Sequence, residues 1–127
     1  RLAEHTLAKL APYFPGLKPP WTAQVPLSGS DWASREAAKR ELAGRYPDMP
    51  PLVLQGVFRR HGAAAANVLG DGRLGEHYGA GLTERELTHF IEHEWARSVE
   101  DVLWRRTKCG LHMTEAQRAR VAQVIGQ

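Results

Sequence analysis

Glu94-Trp95-Ala96-Arg97-Ser98-Val99-Glu100-Asp101-Val102-Leu103-Trp104-Arg105-Arg106-Thr107-Lys108 packs two tryptophans, three carboxylates and four basic residues into one short stretch. Ser98-x-x-Asp101 places a hydroxyl three residues ahead of a carboxylate, a helix-opening pattern. Val99, Val102 and Leu103 then recur on one side. A helix is expected over 98–108, with Gly110 ending it. At about 100° per residue, Trp104 falls off this apolar stripe, beside Glu100 and Lys108, whereas Arg106 falls within it. An arginine on an apolar face must find a carboxylate, because an unpaired buried charge costs on the order of several kcal/mol. Glu94 is the candidate partner, so Glu94 and Arg106 form a candidate structural ion pair. On this reading Arg106→Leu is tolerated better than removal of the carboxylate. Asp101 stands four residues from both Arg97 and Arg105 and can bridge them as a ladder. Trp95, Arg97, Asp101, Trp104 and Arg105 remain as a candidate contact surface for another domain or subunit.

The helical pattern continues on both sides of this stretch. Leu2, Ala3, Leu7, Leu10 and Ala11 recur at helical spacing until Pro12 and Pro15-Gly16 stop them. Residues 15–30 carry Pro15, Pro19, Pro20 and Pro26 and read as an extended connector, with Trp21 or Val25 expected to tuck inward. Ser30 or Asp31 is expected to cap a helix running to about Tyr46, with Ala38, Leu42 and Tyr46 inside. Pro50-Pro51 restarts the chain as a helix with Leu54, Val57 and Phe58 inward; Gly62 ends it and Ala63–Leu69 forms a shorter one. Residues 70–82 hold five glycines and read as a loop. Thr83-x-x-Glu86 is a capping box opening a helix with Leu87, Phe90, Ile91 and Trp95 on one side. Thr114-x-x-Gln117 opens the last helix, with Val121, Val124 and Ile125. No segment alternates with period two. The expected fold is all-α, a single compact bundle of six to seven short helices over 1–127.

The bulk numbers agree with one soluble-type core: 127 residues, 43% apolar and 24% charged, with a formal charge of +3. The lone Cys109 excludes an intramolecular disulfide and reads as a small buried hydrophobe. No apolar run approaches the ~18 residues of a membrane span. The chain opens without Met, inside an amphipathic pattern, and reads as a piece of something longer.

Two motifs are weighed and set aside. Gly70-x-Gly72-x-x-Gly75 has dinucleotide-fingerprint spacing, but an alanine-rich helix precedes it where that motif needs a strand. His89-x-x-Glu92-His93 has the spacing of an inverted zinc-protease motif. Its histidines lie opposite the Leu87–Phe90–Ile91 stripe, so a solvated polar face is the expectation and no metal is expected. A freestanding nucleic-acid or protein-binding module is the alternative reading of the chain. It requires Arg35, Lys39, Arg59, Arg60 and Arg73 to share one face.

Glu94-Trp95-Ala96-Arg97, followed by Glu100-Asp101-Val102-Leu103-Trp104-Arg105-Arg106-Thr107-Lys108 and Gly110-Leu111, resembles a signature near the C-terminus of FAD-dependent glycerol-3-phosphate dehydrogenases and their glycerophosphate oxidase relatives. Leu2-Ala3-Glu4-His5 with Ala11-Pro12-Tyr13-Phe14 looks like the helix that follows the flavin domain. Pro26-Leu27-Ser28-Gly29 is similar to the family's Leu-Pro-Gly connector, and Arg60-His61-Gly62 to its Arg-Tyr-Gly. The resemblance implies a C-terminal helical cap attached to an N-terminal FAD- and substrate-binding portion that acts on glycerol 3-phosphate. It implies no catalytic, cofactor-binding or metal-ligating residue in this chain, and no flavin bound by it. The implied partners are that N-terminal portion and a second copy in a homo-oligomer, with no nucleic acid. The implied location is cytoplasmic, at the inner face of a membrane through the parent enzyme.

Overall fold

Prolines and glycines divide the chain where the pattern places them. The computed structural model describes residues 2–27 and 29–126, so Ser28 of the connector quartet lies outside the described residues. Among the described residues six α-helices form: α1 (Leu2–Leu10), α2 (Arg35–Arg45), α3 (Pro51–His61), α4 (Ala65–Leu69), α5 (Glu84–His93) and α6 (Glu115–Ile125). A π-helical segment spans Asp101–Arg106, and 3₁₀ turns cover Ala11–Tyr13, Gly62–Ala64 and Cys109–His112. None of these helices is long and apolar enough to cross a membrane. The all-α bundle of six to seven short helices is the architecture found, with one small addition.

That addition lies in the glycine-rich loop. β1 (His77–Gly79) pairs antiparallel with β2 (Leu82–Thr83). The connecting Ala80 and Gly81 have φ of 50° and 73°, the double positive-φ turn whose twist suits a two-residue hairpin. Strands this short cannot show periodicity in sequence.

Several local expectations shift. The cap of α2 is Ser34, whose extended backbone lets its Oγ accept from the Ala37 amide at 3.4 Å. Ser30 instead donates its hydroxyl to the Leu27 carbonyl. Residues 30–33 stay outside the helix because Trp32 is drawn down to stack on Phe58, ring centroids 5.5 Å apart. This closeness needs two glycines. A Cβ on Gly62 (φ 59°) would meet the Gly29 carbonyl and the Trp32 ring, and the Ala63 amide donates to Gly29 O at 2.9 Å. Trp21 and Val25 are exposed rather than tucked in. Helix α5 stops at His93, so Trp95 leaves the Leu87–Phe90 stripe and points out.

The apolar interior has two parts. One joins α2, α3 and α4 through Leu42, Tyr46, Val53, Val57, Phe58, Ala65, Val68 and Leu69. The Tyr46 hydroxyl fastens it by donating to the Ala66 and Gly70 carbonyls. The other joins the hairpin, α5, the π segment and α6 through Tyr78, Leu82, Leu87, Phe90, Ala96, Val102, Leu103, Met113 and Val121, with Cys109 buried among them.

A buried ion cluster lies between the two parts. Glu86, in the first turn of α5, is 1% exposed. Arg60 of α3 donates to it through Nε and Nη2, both at 2.6 Å, and to the Gly81 carbonyl at 3.3 Å; His61 Nε2 lies 2.8 Å from Glu86 Oε1. Only half of the expected Thr83–Glu86 capping box forms. Thr83 Oγ1 accepts from the Glu86 amide, while the Glu86 carboxylate turns inward to Arg60 and His61 instead of back to the helix start. Burial pushes the Glu86 carboxyl up, but the His61 and Arg60 hydrogen bonds and charges outweigh it and hold it below the ordinary glutamate range.

Removing one member of such a pair strands the others, so Glu86→Gln is expected to cost about 3–5 kcal/mol at neutral pH. A carboxyl whose folded pKa lies below its unfolded value of about 4.3 stabilises fully above that value and progressively less as pH falls through the folded one. The stability gap between the wild-type chain and Glu86→Gln in urea melts should therefore hold from pH 7 to about 5. It should narrow only in more acidic buffer; a constant gap down to about pH 2 would contradict this assignment.

Candidate docking surface

The stretch after α5 is shaped by one carboxylate. Asp101 Oδ2 accepts from the Arg97 and Ser98 amides at 2.9 and 3.0 Å, and Oδ1 accepts from Arg105 Nη1 at 2.6 Å. Ser98 Oγ in turn accepts from the Asp101 amide at 3.2 Å, so the pair opens the helical turn reciprocally. The Arg97 amide, followed by the Arg105 guanidinium and Ser98, holds the Asp101 carboxyl far below the ordinary aspartate range. Asp101 therefore organises the surface, and Arg97 contributes its backbone to the arrangement rather than a guanidinium bridge.

The helix that follows is π rather than the α-helix expected over 98–108. The Thr107 amide donates to Val102 O at 3.1 Å, five residues back, and the Thr107 hydroxyl donates to the same carbonyl at 2.7 Å. The wider turn buries Val102 and Leu103, half-buries Arg106 and leaves Trp104 and Arg105 exposed. Arg106 Nη1 donates to the Asp101 carbonyl at 3.2 Å, and Nη2 donates to the Glu94 carbonyl. Its Nε lies 3.6 Å from Glu94 Oε2 and its Nη1 3.7 Å from Asp101 Oδ1. Glu94 and Arg106 are thus neighbours, but the hydrogen bonds run to backbone carbonyls and the carboxylates supply charge at longer range.

Two aromatic side chains mark the outer face. Trp104 lies over Gly110, where an added Cβ would stand 2.7 Å from the indole. Trp95 is 80% exposed and has φ of 58°. It follows the last residue of the α5 cap, a left-handed position that glycine or asparagine normally takes. The Ala96 amide returns to the Phe90 carbonyl at 2.9 Å and Ala96 is buried, which forces the sharp reversal at Trp95.

A second apolar surface lies at the other end of the sequence. Helix α1 buries no residue, and Leu2, Leu7, Leu10, Tyr13, Phe14, Trp21, Val25 and Leu27 are all exposed. The segment is tied to itself through Glu4, which accepts from the Thr22 amide and hydroxyl at 3.1 and 2.7 Å.

The five cations of the alternative reading do not act as a set. Arg35, Lys39 and Arg59 border a groove between α2 and α3, while Arg60 is buried on Glu86 and Arg73 is exposed beside Asp71. The two histidines of α5 differ in exposure. His93 is exposed, whereas His89 is half-buried with its ring edge-on to His61 at 5.4 Å. Burial, followed by the neighbouring His61, pushes the His89 imidazole below its ordinary value. The glycine triplet 70–75 follows the end of α4 and enters the hairpin, without the strand-to-helix setting of a dinucleotide site.

Sequence reasoning missed Glu86 and His61 as interior groups. The signal was present: Arg60 and His61 stand three and four residues after Val57, and Glu86 four before Phe90, all on inward faces.

Arg106→Leu would strand the Glu94 and Asp101 carbonyls, a cost of roughly 1–3 kcal/mol. Glu94→Gln, at a side chain 37% exposed, should cost less than about 1 kcal/mol. Thermal melts of the two variants check this order, which reverses the one expected from sequence; equal losses would count against the carbonyl staple.

Residues 20–127 match the family described as the C-terminal domain of alpha-glycerophosphate oxidase. The chain is 39% identical to a glycerol-3-phosphate dehydrogenase of Pseudomonas aeruginosa, over 98% of this chain and 25% of that protein. It is 37% identical to the aerobic glycerol-3-phosphate dehydrogenase of Escherichia coli, over 97% of this chain and 26% of the relative. It is 36% identical to a D-erythritol 1-phosphate dehydrogenase of Brucella abortus, over 93% and 25% respectively. The chain spans about a quarter of the length of these curated relatives. With its helical architecture and these matches, the chain belongs to the family of C-terminal domains of alpha-glycerophosphate oxidase.

Proposed function

We propose that this chain is the C-terminal helical cap of a flavin-dependent glycerol-3-phosphate dehydrogenase and carries no catalytic group of its own. The observation that supports this most directly is coverage: nearly the whole chain aligns with only about a quarter of each dehydrogenase relative. The remaining three-quarters of the parent would hold FAD and the groups that oxidise sn-glycerol 3-phosphate to dihydroxyacetone phosphate. The cap packs on that portion. Helix α1 and the connector, with their unburied leucines and aromatics, form the junction, and Trp95, Arg97, Trp104 and Arg105 form a second contact to the catalytic portion or to a partner subunit. The parent works at the cytoplasmic face of the inner membrane. An exposed tryptophan in a left-handed conformation costs roughly 1–2 kcal/mol and fits a residue kept for what it touches.

In isolation the chain should show no flavin absorbance and should not oxidise glycerol 3-phosphate, whereas the parent polypeptide should do both. Clean isolated chain with either property would refute the cap reading. A parent that turns over erythritol 1-phosphate faster than glycerol 3-phosphate would shift the substrate to that of the Brucella relative.

Trp95→Gly relieves the left-handed backbone at once. It should raise the melting midpoint of the isolated chain by a few degrees, corresponding to about 1 kcal/mol, and lower that of the parent. Stabilisation of both would remove Trp95 from the contact.

A further inference from the structure

We infer that His61, His89 and Glu94 form a binding site for one divalent transition-metal ion of the zinc type, clamping the end of α3 to the end of α5. One donor atom from each of the three lies within 4.8 Å of the others. Glu94 Oε1 is 3.6 Å from His61 Nδ1 and 3.5 Å from His89 Nε2. These separations are too long for hydrogen bonds. They are close to what a tetrahedral ion demands: bonds of about 2.0–2.1 Å place two ligand atoms roughly 3.3–3.4 Å apart. The imidazole donors, within 4.8 Å of each other, need to close by at most about 1.5 Å to reach that spacing.

The surroundings prepare each donor. His61, with a side chain 6% exposed, faces the ionised Glu86 through Nε2 at 2.8 Å. A carboxylate only accepts, so Nε2 carries a proton toward Glu86 and Nδ1 is the ring nitrogen left to face Glu94 and the ion. A carboxylate behind a ligating imidazole is the arrangement that fixes its tautomer and raises its basicity. Glu94 has its second oxygen beside Arg106 Nε at 3.6 Å, which leaves Oε1 for the ion. His89 is 23% exposed and Glu94 37%, so an ion can enter from solvent and a water can complete the fourth position. Two imidazoles and one carboxylate suit zinc, and also cobalt or nickel, over magnesium or calcium.

The sequence pair His89 and His93 is not this ligand set. Their rings are 5.0 Å apart at the centroids, but His93 is exposed and its Nε2 lies toward Glu92. The partner that matters comes from α3, a helix away in sequence.

The test uses the chain prepared without a polyhistidine tag. Zinc is titrated against a chromophoric chelator, cobalt(II) binding is followed by its visible absorption, and melting is recorded with and without zinc. Expected are one zinc per chain, the intense absorption of tetrahedral cobalt, and a midpoint raised by on the order of 10 °C at a hundredfold excess of zinc over Kd. His89→Ala and Glu94→Gln should each weaken zinc binding at least about tenfold and abolish the tetrahedral spectrum, with far-ultraviolet circular dichroism confirming that both variants fold. His93→Gln should bind like the wild-type chain. No saturable one-to-one binding, retained affinity in His89→Ala, or loss of binding in His93→Gln would each overturn the site.

Discussion

A carboxylate buried to 1% exposure organises this molecule. Glu86 could not stay ionised in an apolar interior unless its oxygens were met by charge, and Arg60 and His61 meet them from the last turn of α3. The fork of Arg60 fits the carboxylate at two points, which fixes both the rotation of α3 and its height against α5. Apolar side chains alone would let two short helices slide. A buried ion pair of this kind need not add net stability over a well-packed hydrophobic replacement; its effect is to make one packing of the two apolar clusters much better than its neighbours.

From this cluster a line of charge runs outward. His61 touches Glu86 on one side and faces Glu94 on the other; Glu94 lies beside Arg106, Arg106 beside Asp101, and Asp101 holds Arg105 at the surface. Signs alternate along most of it, so each member offsets the desolvation of the next. The interior of the bundle and its most exposed aromatic face are thus parts of one electrostatic chain. The reversal at Trp95 sits between its two halves, supported by Ala96 inside and by Asp101 and Arg106 around it.

The exposed leucines and aromatics of the outer surfaces fit the proposed cap reading. Helix α1 contributes nothing to either core, and the family match begins at residue 20, beyond it. Residues 29–126 supply both apolar clusters. The basic residues of the alternative nucleic-acid reading are divided between a groove, an exposed loop and the interior.

Helix positions followed from local rules: proline and glycine cannot continue a helix, and a capping hydroxyl or a three- to four-residue apolar spacing carries its own geometry. Thr83, Thr114 and Gly62 work as their chemistry requires, Tyr46 faces inward as its spacing predicts, and the family resemblance lay in the 94–111 block itself. Tertiary structure decided everything that depends on a partner distant in sequence. Glu86 chose Arg60, 26 residues away, over the start of its own helix, because a desolvated carboxylate gains more from a two-point guanidinium and an imidazole than from one amide. Ser34 displaced Ser30 as a cap because Trp32 was claimed by Phe58, and Trp95 left its helix because Ala96 was claimed by the core. Spacing along one helix puts His89 beside His93, and their rings do lie 5.0 Å apart; the folded chain adds His61 at 5.4 Å from His89, since only packing brings the ends of α3 and α5 together.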